Sequence, residues 1–205
     1  MYLPDAFRID TAEQAQALIR QNALALLVVV QDGAPEFSPV PVMLDEHVGP
    51  FGRLRFHLAR ANPVAEILAR DAASSLVFSG AQTYVSPDWY TDRKLPPTWN
   101  YEVVVARGRV TPLDDDGLRA LLDDLSADQE RRLDKRPWTP DKMGEERIRG
   151  LMRGIVGFAV EIEVFEGKAK LSQNRADADR ESLGRALSEA NDPDARAVAA
   201  RMKND

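Results

Sequence analysis

The chain has 205 residues, 44% of them hydrophobic and 29% charged, a composition that suits one folded domain with room for a small appendage. It has no cysteine, which excludes a disulfide framework, thiolate catalysis and cysteine-ligated metal centres. Its formal net charge of −6 gives no global attraction to nucleic acid.

The opening Met1-Tyr-Leu-Pro-Asp has neither a basic region nor a signal-like apolar core. Thr11-Ala-Glu-Gln14 reads as a capping box in front of a short amphipathic helix over Ala12–Asn22. Ala23–Val30 is the longest apolar run, far too short to span a bilayer, and reads as a buried strand. A cytoplasmic location is therefore expected. Asp32-Gly33 is a hairpin turn signal, and Phe37–Leu44 is the return strand. Pro35, Pro39 and Pro41 place that strand at an edge or a bulge.

Arg53–Leu58 alternates, with Leu54, Phe56 and Leu58 on one face and Arg53, Arg55 and His57 on the other. Asn62-Pro63 then opens a helix. Ser74–Ser79 and Gln82–Val85 read as strands, Ser86–Thr98 as a loop, and Trp99–Val110 as a long strand. Leu113–Leu133 and Met143–Arg153 are predicted helices, Val156–Phe165 an alternating strand, and Asp177–Lys203 mostly helix. Short strands in the first half, without regular interleaved helices, favour an antiparallel β-barrel with peripheral helices, an α+β fold dominated by β. The expected division is a barrel domain over 1–175 and a helical extension over 176–205.

Three segments carry candidate chemistry. In His57-Leu-Ala-Arg-Ala-Asn-Pro63 a strand runs through a tight turn into a capped helix. Free amides at such a helix start, beside Arg55 and Arg60, suit a phosphate; the alternative is a corner with arginines in solvent. Tyr84-Val-Ser-Pro-Asp-Trp-Tyr90 and Pro97-Thr-Trp-Asn-Tyr101 cluster aromatic residues in and beside a polar loop. They suit a planar ligand, a sugar or a subunit interface, or else form a mini-core that pins the loop. Lys170-Leu-Ser-Gln-Asn-Arg175 is rich in hydrogen-bonding groups, for a polar heterocycle or for solvent. The two histidines, His47 and His57, are too few for a three-histidine metal site, and no metal ligand set is assigned. No catalytic residue is assigned either.

Taken in register, Met1-Tyr-Leu-Pro and these segments resemble the PaiB family of FMN-binding negative transcriptional regulators, over residues 1 to about 190. The resemblance implies the FMN-binding split barrel shared with pyridoxamine 5′-phosphate oxidases: six antiparallel strands, a homodimer, and flavin in a cleft between subunits. It implies that His57, Arg60 and Asn62, with Arg55, lie near the flavin phosphate and ribityl chain. Trp99, Asn100 and Tyr101 would face the isoalloxazine edge, and Gln173, Asn174 and Arg175 would close the pocket. Tyr84, Ser86, Trp89 and Tyr90 would shape the cleft. Ser38 and Val40 belong to the strand expected along the ring; here Pro39 stands where the family commonly has histidine, removing an imidazole and an amide donor.

The resemblance implies an FMN-dependent redox or sensing protein. A regulator that contacts DNA directly fits poorly, because no DNA-reading motif or uncompensated basic patch is present. The competing ligand is haem, with His57 as its axial residue.

Overall fold

The structure, a computed structural model, describes residues 1–70 and 73–203, so the last two residues of the expected extension lie outside the described residues. The chain clusters into two compact units. A barrel unit comprises Ile19–Phe78 and Val105–Phe165, and a terminal unit comprises Met1–Leu18, Ser79–Val104 and Glu166–Asp205.

The barrel unit starts from a hairpin. Leu24–Gln31 (β2) and Ala34–Asp45 (β3) pair antiparallel around Asp32-Gly33, whose φ values of 52° and 82° are the left-handed pair that a two-residue turn requires. The expectation of a fully buried β2 is corrected. Ala25, Leu27 and Val29 enter the core, whereas Leu24, Leu26 and Val30 are exposed on the opposite face.

The three prolines of β3 occupy positions that cost no ladder bond. Val42 N–H donates to Ala23 at 2.8 Å, so even-numbered residues of β3 turn their amides towards β2. Pro35, Pro39 and Pro41 are odd-numbered and would have pointed the other way. There β3 meets its second neighbour, Arg53–Ala59 (β4), only from Val42 onward. The strand is thus an edge where it carries proline and interior where it does not.

Among the described residues, the strand order β6-β5-β2-β3-β4-β7, with an added β6–β7 pairing, closes a ring of six. Here β5 is Ala73–Val85, β6 is Thr98–Pro112 and β7 is Ile155–Glu161. The pairs of β2 with β3 and β5, and of β4 and β6 with β7, are antiparallel. Leu27, Leu54, Phe56, Leu76 and Phe78 are fully buried inside it. At Gly108 on β6 the backbone of Glu161 approaches so closely that a Cβ would lie 1.9 Å from its carbonyl oxygen.

The short helix Pro63–Leu68 (α2) and the helices Asp115–Glu130 (α3) and Glu145–Met152 (α4) belong to this unit. Helix α4 starts later than Met143 because Gly144, at φ 78°, separates it from the 3₁₀ turn Pro140–Met143. The two strands expected within 74–85 form one continuous strand, β5. The single strand expected over 156–165 is two, β7 and Val164–Lys170 (β8), parted where Ile162 and Glu163 donate their amides to the Gly52 and Arg107 carbonyls.

In the terminal unit, Arg8–Ile9 (β1) pairs antiparallel with β8, next to β6 in the strand order. The helix Ala12–Gln21 (α1) begins in this unit, and Thr11 Oγ1 accepts from Gln14 N at 3.2 Å as a cap should. The helices Asp177–Glu189 (α5) and Pro193–Met202 (α6) bury Leu183, Leu187, Val198 and Met202 in one cluster with Val85, Tyr90 and Leu171. Among the described residues no helix is long and apolar enough to cross a membrane.

Candidate functional site

On the barrel unit, the polar face of β4 is covered. Arg55 is 7% exposed and committed to two carboxylates: Nε and Nη2 reach Asp45 at 2.8 and 2.6 Å, and Nη2 also reaches Asp124 at 2.7 Å. Arg53 completes the cluster at 2.8 Å from Asp45. Burial pushes the Asp45 carboxyl up, but the hydrogen bonds from Arg55 and Arg53 and their charge outweigh it and hold it below the usual carboxylate range. Burial likewise works against the Arg55 charge, and Asp45 and Asp124 more than offset it.

Two positions along β4, His57 is half-buried, and desolvation holds its imidazole below the ordinary histidine pKa. Its Nδ1 is enclosed and has no hydrogen-bond partner among the described residues. The following turn is built by its own side chains. Arg60 donates to the Arg153 and Ile155 carbonyls at 3.0 and 2.9 Å, pinning the start of β7. Asn62 Oδ1 caps α2 through Val64 N at 3.0 Å, and its Nδ2 donates to Ser38 Oγ at 3.0 Å.

The expectation of free amides at this helix start is corrected. Pro63 has none, and Asn62 consumes those of Val64 and Ala65 through its side chain and carbonyl. The helix spans six residues, too short for a strong dipole. On β3, Val40 is a core residue and both Ser38 and Val40 turn their amides into the β2 ladder. In the segment 35–41, the opposite side of β3 presents carbonyl acceptors and a single amide, that of Phe37.

The terminal unit sorts the remaining predicted residues into two groups. Tyr90, Asn100 and Gln173 hold structure. Asn100 is fully buried and accepts from Ser172 Oγ at 3.1 Å, while Tyr90 OH lies 3.2 Å from the same Ser172 oxygen. Gln173 closes its own turn through Leu171 N and the Ala169 carbonyl, both at 2.7 Å. Ser86 caps the turn Pro87–Trp89, and Trp89 packs against the α5–α6 cluster. Arg175 lies over the Tyr90 ring, 5.6 Å from its centroid, and Asn174 is exposed.

The second group faces outward. Trp99 is 53% exposed and Tyr84 meets it edge-on, with ring centroids 6.1 Å apart and an interplanar angle of 73°. Tyr101 follows on the same face of β6 and is half-buried. Beside it lie Lys170, which opens the third candidate segment without a role of its own there, and Lys168, which the motif reading passed over, both on β8. Lys168 Nζ sits 5.5 Å from the Tyr101 ring centroid, and Lys170 Nζ donates to the Trp99 carbonyl at 2.7 Å. The signal was legible in principle, since Lys-Ala-Lys on a strand puts both ammonium groups on one face.

The chain is similar to known proteins in both sequence and architecture. A family model described as "Putative FMN-binding domain" matches residues 1–164. The chain is 28% identical to the protease synthase and sporulation protein PAI 2 of Bacillus subtilis over 207 residues, covering 100% of this chain and 97% of that one. Among solved structures, the FAD and heme binding protein from Mycobacterium smegmatis superimposes with a TM-score of 0.56 at 19% identity, over 80% of this chain and 73% of its own. The flavocytochrome Anf3 from Azotobacter vinelandii gives 0.54 at 18% identity, over 80% and 69%. At such identities the two structures speak for the fold.

Proposed function

This chain belongs to the FMN-binding, PaiB-type domain family, and on that premise we propose that it works as a homodimeric split-barrel flavoprotein with a redox or sensing role. FMN is the cofactor of the family. The observation that carries the reading is His57, an imidazole kept neutral by burial whose enclosed Nδ1 has no partner. An unsatisfied polar atom costs about 1–3 kcal/mol, which a ligand hydrogen-bonding there recovers.

The other groups suit the same cofactor. Arg60 keeps a guanidinium charge that pairs with no carboxylate among the described residues, which supports a place near the flavin phosphate with Asn62 bracing the turn. Tyr84, Trp99 and Tyr101 offer the flat apolar surface that a ring system needs. Within the terminal unit, Asn174 and Arg175 are proposed to close over that surface, while Asn100, Gln173 and Tyr90 hold its surroundings in place. Bound FMN would supply the electron-transfer chemistry, and the protein would orient it and exclude water.

The dimer has support of its own. Leu24, Leu26 and Val30 on β2 and Phe37 on β3 stand exposed on one face of the hairpin, alongside Pro35, Pro39 and Pro41. A second copy of the chain is the proposed cover for this face, since contiguous exposed apolar residues mark an association surface. With a net charge of −6, a regulatory role would act through the flavin state or a protein partner rather than through DNA phosphates. Haem ligation by His57 is less favoured, because its Nδ1 lacks the orienting acceptor that ligating imidazoles usually have.

The test is an absorbance titration of the purified protein with FMN, repeated on His57→Phe and Arg60→Ala. A saturable shift of the flavin bands is expected, weakened about tenfold in each variant. No shift with the wild type up to near-millimolar FMN would overturn the reading.

A further inference from the structure

The terminal unit holds two withdrawn cations that form no ion pair among the described residues. Lys168 is 8% exposed, its ammonium lies over the rings of Tyr2 and Tyr101 at 5.6 and 5.5 Å, and it donates to the Tyr2 carbonyl at 3.2 Å. Lys170, half-buried two residues along the same strand face, donates to the Trp99 carbonyl at 2.7 Å and to Thr98 Oγ1. Every one of these acceptors is neutral, and among the described residues neither lysine forms an ion pair.

The charges around them make matters worse. Burial first, then the positive charges of Arg175 and Lys168, hold the Lys170 ammonium below its ordinary pKa. Withdrawing like charges from water beside one another is unfavourable unless an anion completes the site. The ground in front of them is aromatic: Tyr101 half-buried, Trp99 largely exposed, and Tyr84 set edge-on against Trp99. A ligand that satisfies both features joins a negative charge to a flat ring system.

We propose that Lys168 and Lys170 form a receiving site for the anionic group, a phosphate or a carboxylate, of a planar ligand lying on the Trp99–Tyr101 surface. The site deepens the flavin reading and rests on it for one of its two sources. That source is the phosphate of FMN itself, received here in place of the Arg60 contact; the other is an aromatic acid serving as the flavin's redox partner. Surface lysines in water would do neither, since they pay no burial and need no partner.

The experiment is calorimetric titration of the full chain with FMN, riboflavin (the same ring system without phosphate) and 4-hydroxybenzoate, at low and high salt. Wild type, Lys168→Gln, Lys170→Gln and the charge-retaining Lys168→Arg are compared, each shown to be folded by thermal melting. The wild type is expected to bind at least one of the two anions, more weakly as salt rises. Lys168→Gln and Lys170→Gln should each lower that affinity roughly tenfold to a hundredfold, with Lys168→Arg recovering most of it.

A preference for FMN over riboflavin that collapses in both glutamine variants supports the site and assigns the anion to the flavin phosphate. A retained preference, with 4-hydroxybenzoate binding lost, supports it and assigns the anion to a separate acid. A wild type that binds 4-hydroxybenzoate but neither flavin, with that binding lost in the glutamine variants, supports this site while overturning the flavin reading. If neither anion binds the wild type, or if binding is unchanged in both folded glutamine variants, the proposal is overturned.

Discussion

Replacing Arg55 with methionine separates a structural arginine from a ligand-binding one. The substitution keeps most of the aliphatic stem and removes three N–H to carboxylate contacts of 2.6–2.8 Å. Hydrogen bonds to charged groups contribute about 1.5–3 kcal/mol each, but the three do not add here. Asp45 keeps Arg53 at 2.8 Å, and the Asp124 side chain is 48% exposed and simply rehydrates. The net loss is therefore about 2–3 kcal/mol, less than the larger penalty of orphaning a fully buried partner. For a chain of this size that corresponds to roughly 5–10 °C in Tm.

Urea denaturation at neutral pH measures the loss, and its pH dependence tests the cause. The folded-state pKa of Asp45 is depressed, so its contribution is complete above the unfolded value, about 3.9, and disappears as pH falls through the folded value. The difference between wild type and Arg55→Met should shrink in that acid range. FMN affinity should stay within about threefold, because the guanidinium is already committed. A loss of stability under about 0.5 kcal/mol at neutral pH, or an FMN affinity that falls tenfold with stability intact, would refute the assignment.

Other consequences follow from single features of the structure. The depressed pKa of His57 means that the unfolded chain takes up a proton that the folded one resists; stability should therefore decline as pH drops below about 6.5 towards the folded value, and His57→Phe should flatten that slope in pH-dependent melts. Placing lysine at both Leu26 and Phe37 on the exposed hairpin face should shift the protein from dimer to monomer in sedimentation velocity without unfolding it; a sedimentation profile identical to wild type argues against this face as the contact. Gly108→Ala should cost about 3 kcal/mol in chemical denaturation, since its Cβ would meet the Glu161 carbonyl at 1.9 Å and backbone must move; a neutral result would mean that β6 and β7 are less tightly joined there.

Local chemistry was legible before any coordinates. The Asp32-Gly33 turn, the Thr11 cap and the Asn62-Pro63 helix start each depend on residues within a few positions of one another, and each forms as its sequence implies. The strand pattern favoured an antiparallel barrel, and it was the resemblance to the PaiB family that implied six strands of the flavin-binding kind. Such patterns survive because side-chain period and turn geometry are properties of the chain itself.

What the chain alone could not decide is which polar residues are already occupied. Arg55 looks available on an alternating strand, and only the folded chain brings Asp124 to it from 69 residues away. Asn100 reads as a ligand-facing polar residue until Ser172 and Met202, each distant in sequence, enclose it. The reverse holds for Lys168, which carries no signal in sequence, and for Lys170, which reads equally as a solvated residue. Folding sets them against Tyr101 and the Trp99 carbonyl, with no ion pair to neutralise them among the described residues. Composition and periodicity specify where the backbone goes and which face is apolar; the pairing of charges depends on three-dimensional neighbours, and it is this pairing that separates a structural cation from one left waiting for a ligand.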